Sequence, residues 1–175
     1  MRQTMTPSTV ISMIQGLTAA TFVIIPAIAF RYGRQAQRAA EREIATQRLP
    51  GDLLTRSRIN FSESAAASLL PLGIAAVLAV MAALNMTESQ AGRALTWALQ
   101  PLLLIAGGVT TAGQVFPAAY ARAAMRRAGI TEAVDTRAVI REAAAAFPAI
   151  LRPLTVARFG LVTAGSVAVL VLLPA

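Results

Sequence analysis

Four long apolar runs decide what this sequence of 175 residues can fold into. They lie at about residues 9–30, 64–86, 95–120 and 158–174. A helix rises about 1.5 Å per residue, so about 20 apolar residues cross the roughly 30 Å hydrocarbon core of a bilayer. The sequence therefore predicts an all-α integral membrane four-helix bundle, with residues 1–175 as a single membrane domain.

The first run has a second interpretation, as a cleaved signal peptide. Ala27-Ile28-Ala29 resembles a small-x-small cleavage site. However, the run is longer than the usual 7–15 residues, and basic residues follow it rather than precede it. These features favour a retained membrane span.

The arginines indicate how the four spans are oriented. The connectors 31–63 and 121–157, together with Arg158, hold fourteen of the sixteen basic residues. Four alternating spans place both connectors on one side, and the positive-inside rule makes that side the cytoplasm. Both termini are then expected on the non-cytoplasmic side.

Composition excludes several kinds of chemistry. The chain has no Cys and no His, so it offers no thiol nucleophile and lacks the commonest metal ligand and general base. We expect no metal. The net charge of +8 indicates topology rather than nucleic-acid binding, because the arginines cluster beside apolar runs. The Arg- and Ala-rich usage hints at a bacterial inner membrane.

The connectors are expected to be partly helical. The first helix should continue, solvated, to about Gln47, and Leu49-Pro50-Gly51-Asp52 should end it. Residues 132–151 could form an amphipathic helix along the membrane interface. No soluble domain is evident, and Arg158 is expected to snorkel to the interface.

One polar motif precedes the second span. Arg56, Asn60 and Glu63 are spaced i, i+4 and i+7, so on a helix they share one face. A cation, an amide and a carboxylate in a row could hold a zwitterionic ligand. Alternatively, Asn60 and Glu63 cap the second span, and Arg56 only pairs with a carboxylate.

A second polar group ends the third span. Phe116, Tyr120 and Arg127 are spaced as one helical face, at the same membrane depth as the first motif. Arg31 and Arg34, after the first span, lie at that depth too. For Arg31, Arg34, Arg122 and Arg126 the competing interpretation is a basic anchor on lipid phosphates.

The first motif resembles a signature of the MAPEG family, the membrane-associated proteins in eicosanoid and glutathione metabolism. That signature is Arg, three residues, Asn, two residues and Glu, before an apolar run that often contains Pro. Here it reads Arg56 to Glu63, with Pro71 farther on. The family also has four spans and outward termini.

The second group is similar to the end of the third span in the leukotriene-conjugating branch of that family. There, an arginine that activates a thiol follows a Tyr-Ala-Arg run, and Arg127 stands at the matching position. The chain departs from the pattern at Phe116, where that branch has a second tyrosine, and at Ser64, where an aromatic residue is common.

The resemblance implies a homotrimer that binds glutathione between subunits and conjugates or reduces an apolar substrate from the bilayer, like a microsomal glutathione transferase. Arginines suit the two carboxylates of glutathione, and a nearby guanidinium favours its thiolate. The implied site consists of a catalytic residue, Arg127, and the binding residues Arg34, Arg56, Asn60, Glu63 and Tyr120. The alternative is a non-catalytic membrane scaffold or accessory subunit with the same fold.

Overall fold

The computed structural model describes residues 6–62 and 65–173. The described chain is all-helical, with no strand among these residues. In chain order the helices are α1 Pro7–Thr46, α2 Leu53–Arg56, α3 Ala65–Met86, α4 Gln90–Leu102, α5 Gly108–Val115, α6 Pro117–Arg127, α7 Thr136–Ala145, α8 Leu151–Gly160 and α9 Ser166–Leu172.

Four helices are long and apolar enough to cross a membrane, which confirms the all-helical prediction and is compatible with a membrane protein. The first is α1 and the second is α3. The third, Gln90–Val115, joins α4 to α5 through a π-helical segment, Leu103–Gly107. The fourth, Leu151–Leu172, joins α8 to α9 in the same way through Leu161–Gly165.

The first helix is 40 residues long and extends well beyond its apolar part. Thr6 caps it, with the Thr6 hydroxyl accepting a hydrogen bond from the Thr9 backbone N–H at 3.3 Å, and Pro7 occupies its first turn. It ends at Thr46, before Arg48 adopts a positive φ of 57°. The predicted continuation of the first helix into the connector is confirmed.

The apolar helices interlock through small residues and a central apolar layer. The second and third form a hairpin, in which a Cβ on Gly92 would lie 2.9 Å from the backbone carbon of Leu84. The two π-helical segments approach as closely, since a Cβ on Gly107 would lie 2.6 Å from Val162 Cγ1. The central layer consists of Ala19, Phe22, Ala75, Leu78 and Val162, with Ile74 and Leu103 against it.

A second hydrophobic core lies outside the apolar helices. We call this part, residues 31–62 and 117–149, the head. Its core is built by the extension of α1, by α2, and by residues of the second connector. The buried members are Ala36, Ala40, Ile44, Leu53, Leu54, Met125, Ile130, Val139 and Ala143. The sequence predicted helices in these connectors but not the core that packs them together.

The extension of α1 is two-sided. Its buried face carries Ala36, Ala40 and Ile44 at a spacing of four residues. Its opposite face carries four exposed arginines, Arg31, Arg34, Arg38 and Arg42. The extension is therefore solvated on one face only.

The short helix α7 packs on that buried face. Asp135 caps α7 by accepting hydrogen bonds from the N–H groups of Arg137 and Ala138, both at 3.0 Å. Gln47, at the end of α1, accepts a hydrogen bond from the Asp135 N–H at 2.9 Å and so ties the two helices together. The amphipathic helix predicted over residues 132–151 is present as the shorter α7, and its apolar face, with Val139 and Ala143, packs into the head core.

The boundary between head and apolar helices is sharp. The last exposed large apolar side chains are Phe30 on α1, Phe116 and Tyr120 after the third apolar helix, and Ile150 before the fourth. Between residues 31 and 62, and between residues 121 and 149, no large apolar side chain is exposed. The apolar helices, in contrast, expose many large apolar side chains.

Candidate functional site

Arg56 and Asn60, the first two members of the predicted face, do not lie on one helix. Arg56 is the last residue of the four-residue helix α2, Arg58 has a positive φ of 55°, and residues 59–62 are not helical. The helical spacing assumed for the motif therefore does not apply between Arg56 and Asn60. Glu63 and Ser64 lie outside the described residues.

The segment 59–62 is instead held against α1. The Phe61 N–H donates a hydrogen bond to Gln37 Oε1 at 3.0 Å. One turn earlier on α1, Gly33 is buried so tightly that a Cβ there would lie 2.4 Å from Phe61 O and 2.9 Å from Ser62 Cα. Only a residue without a side chain admits this approach, so Gly33 and Gln37 fix the path of the chain into α3.

Asn60 is used locally. Its side-chain oxygen accepts hydrogen bonds from the Ser62 N–H at 2.9 Å and from the Ser62 hydroxyl at 2.7 Å. This Asx-type turn is an alternative to helix.

A cleft opens beside this turn, with a volume of about 510 Å³. We call it the Asn60 cleft. It combines a guanidinium, two amides and two hydroxyls with one apolar side chain. Its lining residues are Gln37, Thr55, Arg58, Ile59, Asn60 and Ser62. Arg58, which follows Arg56 by two residues, supplies the cation here.

The other predicted site residues lie on the head surface. Arg34, Arg56 and Arg127 are exposed, and Tyr120 is 59% exposed. Arg34 precedes Gln37 by one turn of α1, which places it on the same side of the head as the Asn60 cleft.

Tyr120 and Arg127 share a helix but not with Phe116. The third apolar helix ends at Val115, Phe116 adopts φ −116° and ψ 54°, and Pro117 starts α6. The predicted single face of Phe116, Tyr120 and Arg127 is therefore broken at its first member. Tyr120 and Arg127, seven residues apart on α6, keep a common face. The Tyr120 ring covers Gly113, where a Cβ would lie 3.3 Å from it.

The two predicted groups belong to one head but are not joined by polar contacts. Met125 of α6 and Leu53 of α2 share the head core, so the two helices are parts of one unit. Within residues 6–62 and 65–173, no hydrogen bond or ion pair links Arg56 or Asn60 to Tyr120 or Arg127.

Sequence reasoning missed a buried polar cluster at the other end of the bundle. We call it the amide cluster, and it takes at least one side chain from each apolar helix. Its members, each at most 3% exposed, are Gln15, Asn85, Thr96, Gln100 and Ser166.

Hydrogen bonds connect all the members of the amide cluster. Asn85 Nδ2 donates to Gln15 Oε1 at 2.9 Å and to Thr96 Oγ1 at 2.8 Å. Gln15 Nε2 donates to Thr96 Oγ1 and to Gln100 Oε1, both at 3.3 Å. Gln100 Nε2 donates to the Ser166 hydroxyl at 2.8 Å. The signal in the sequence was the presence of amides within apolar runs, where polar groups need partners.

Arg158 does not lie where the sequence predicts. It is 3% exposed, lies over the Phe22 ring at 5.1 Å from the ring centre, and donates to Gln114 Oε1. The expectation that it snorkels to the interface is wrong. The guanidinium instead joins the fourth apolar helix to the first and third on the head side of the central layer.

Among the described side chains, no three acidic residues lie close enough together to hold a metal ion. No family model, curated protein or solved structure matches this chain.

Proposed function

We propose that this chain is a membrane-embedded, MAPEG-like protein that binds glutathione at the cytoplasmic boundary of the membrane. The observation that carries the proposal is the Asn60 cleft, which places Arg58 beside the amides of Asn60 and Gln37. Glutathione carries two carboxylates, one ammonium and a thiol. A guanidinium binds a carboxylate bidentately, and amides can serve both as donors and as acceptors.

The cleft lies where a charged ligand can meet an apolar one. Gln37 is seven residues beyond Phe30, the last exposed large apolar side chain of α1. At about 1.5 Å per residue this is about 10 Å along the helix. A bound tripeptide would remain in water while its thiol approaches the hydrocarbon, from which an apolar electrophile or a lipid hydroperoxide would arrive.

The proposed chemistry needs a cation at the thiol, and Arg127 is the residue proposed for it. Arg127 is exposed on α6 and outside the Asn60 cleft. In the proposed homotrimer, Arg127 of one subunit would face the cleft of a neighbour and stabilise the thiolate there. Arg34, Arg56, Glu63 and Tyr120 remain proposed binding residues around that shared site.

Binding can be measured by calorimetry with glutathione on the protein in detergent. We expect Arg58→Gln to weaken binding about tenfold, because a charge-assisted hydrogen bond contributes about 1.5–3 kcal/mol and 1.4 kcal/mol is a factor of ten. Arg141→Gln is the matched control, since Arg141 is an exposed head arginine on α7, outside the cleft. Equal affinities of the wild type and Arg58→Gln for glutathione would show that the Asn60 cleft does not bind it.

Thiolate formation provides a separate readout for Arg127. Bound glutathione should gain ultraviolet thiolate absorbance in the wild type and lose most of it in Arg127→Ala, with the binding affinity changed less. If the wild type binds glutathione tightly without thiolate absorbance, the proposed enzymatic function is rejected.

That last result would favour a second candidate function, a non-catalytic membrane scaffold or accessory subunit. One observation supports it. Within the described chain, Arg127 and Tyr120 form no polar contact with the Asn60 cleft, while the head has a core of its own.

A further inference from the structure

The head end of the bundle carries arginines just beyond its apolar boundary. Tyr120, on the first turn of α6, is the last exposed large apolar side chain before Ile150. Arg122 and Arg126 follow on α6, one turn apart, and both are exposed. Residues four apart lie on the same side of a helix, so the two guanidiniums point the same way.

These two arginines border a second cleft, which we call the α6 cleft. It lies between α6 and the segment that leads into α7, and its volume is about 120 Å³. One side is basic, the opposite side carries a carboxylate and a hydroxyl, and the remainder is apolar. The lining residues are Arg122, Met125, Arg126, Ile130, Glu132, Val134 and Thr136.

Within the described residues, neither guanidinium belongs to an ion pair. Among the described residues, the ion pair that forms joins Arg141 to Glu142, at 3.5 Å, and involves neither arginine of the α6 cleft. Arg122 Nε donates to the Ala118 backbone oxygen at 3.3 Å, which holds the side chain along α6 and leaves its remaining N–H groups for a ligand.

The depth of the α6 cleft matches lipid head groups. Arg122 and Arg126 follow Tyr120 by two and six residues, or about 3 and 9 Å along the helix. A head-group layer is about 5–7 Å thick on each side of the hydrocarbon, and an arginine side chain adds to that reach. Phosphates of the adjacent leaflet are therefore within range of both guanidiniums.

We propose that the α6 cleft binds the head group of an anionic phospholipid, specifically one whose head group carries free hydroxyls, such as phosphatidylglycerol. Arg122 and Arg126 bind the phosphodiester through charge-assisted hydrogen bonds. Glu132 accepts hydrogen bonds from the head-group hydroxyls. Met125, Ile130 and Val134, which belong to the head core or pack against it, form the apolar floor of the cleft.

Glu132 is what separates this site from a merely basic surface. A carboxylate opposite two guanidiniums repels any phosphate, and head-group hydroxyls offset this repulsion by donating hydrogen bonds to the carboxylate. The proposal does not depend on glutathione, because no residue of the α6 cleft lines the Asn60 cleft.

The test uses the full chain in phosphatidylcholine nanodiscs doped with phosphatidylglycerol, with retained lipid counted by native mass spectrometry. We expect the wild type to retain phosphatidylglycerol, and the double variant Arg122→Gln/Arg126→Gln to need at least ten times more of the lipid for equal occupancy. The matched control is Arg137→Gln/Arg141→Gln, which removes the same charge from exposed positions on α7.

Equal losses in both double variants would overturn the proposal and leave only a diffuse basic surface. Full competition by millimolar inorganic phosphate, or tighter retention of a short RNA than of the lipid, would also overturn it. A second variant tests the role of the carboxylate. Glu132→Gln should reduce the preference for phosphatidylglycerol over phosphatidic acid several-fold, and an unchanged preference would reject the hydroxyl-specific site.

Thermal unfolding in pure phosphatidylcholine separates a lost site from a lost fold. We expect the α6 double variant to unfold at the same temperature as the wild type there. Added phosphatidylglycerol should raise the unfolding temperature of the wild type and not that of the α6 variant. An equal rise in both would contradict the proposal even if the retained-lipid counts differed.

Discussion

Gln15→Met should lower the free energy of unfolding by about 2 kcal/mol, while Gln35→Met should change it by less than about 0.5 kcal/mol. Gln15 is fully buried and donates or accepts three hydrogen bonds in the amide cluster. Methionine keeps the volume but leaves the amide of Asn85 and the carbonyl of Gln100 short of partners. A hydrogen bond inside a membrane protein contributes about 0.6 kcal/mol, and a buried group left unpaired costs about 1–3 kcal/mol.

The control is matched in residue type and in helix. Gln35 lies on α1 twenty residues later and is exposed, so its replacement removes no buried contact. Unfolding can be followed in detergent by the fluorescence of Trp97, the single tryptophan, which neighbours Thr96 of the amide cluster. Equal stability of the two variants would show that the amide cluster does not hold the four helices together.

The four apolar helices were predictable because the signal is local. A run of about 20 apolar residues needs no partner to be recognised, and its length is set by the bilayer. The extension of α1 was predictable for the same reason, since nothing breaks the helix before Arg48. The place of Arg158 was not predictable, because its partners Phe22 and Gln114 come from other helices.

The head core was not predicted from the sequence, because most of its members on α1 are alanines. Ala36, Ala40 and Ile44 mark a buried face, yet alanine is also the commonest filler of a solvated helix. The arginines on the opposite face made the whole extension look solvated. Only the packing of Val139 and Leu54 against it shows which interpretation holds.

The motif at Arg56 shows where spacing alone misleads. The i, i+4 and i+7 spacing implies one face only if the helix is continuous. The helix is interrupted by the turn at Arg58 and by the hydrogen bonds between Asn60 and Ser62. The tertiary contacts that decide the matter come from Gly33 and Gln37, more than twenty residues earlier. Asn60 lines the Asn60 cleft, and the arginine beside it there is Arg58 rather than Arg56.

The docking of residues 59–62 on α1 leaves no room for a side chain at Gly33. Gly33→Ala would place a methyl group 2.4 Å from Phe61 O and 2.9 Å from Ser62 Cα. Both contacts are with backbone, which cannot rotate away as a side chain would. Either α1 and the segment separate, or the head unfolds in part.

We therefore expect Gly33→Ala to destabilise the protein by about 2 kcal/mol or more, within the usual range for overpacking, and to abolish glutathione binding at the Asn60 cleft. Gly16→Ala is the control on the same helix, because nothing lies within 4 Å of a Cβ there. That variant should be neutral or more stable by about 0.5–1 kcal/mol, since alanine is the better helix former.

Undocking can be observed directly, because the natural chain has no cysteine. Ser62→Cys places a single thiol at the point of contact with Gly33. Its rate of labelling by a water-soluble maleimide should rise at least tenfold when Gly33→Ala is added, and should not change when Gly16→Ala is added. The rise follows because a half-buried residue becomes solvated once the segment leaves α1. Equal rates in all three proteins would mean that the close approach at Gly33 does not position this segment, and the Asn60 cleft would then lose the contact that shapes it.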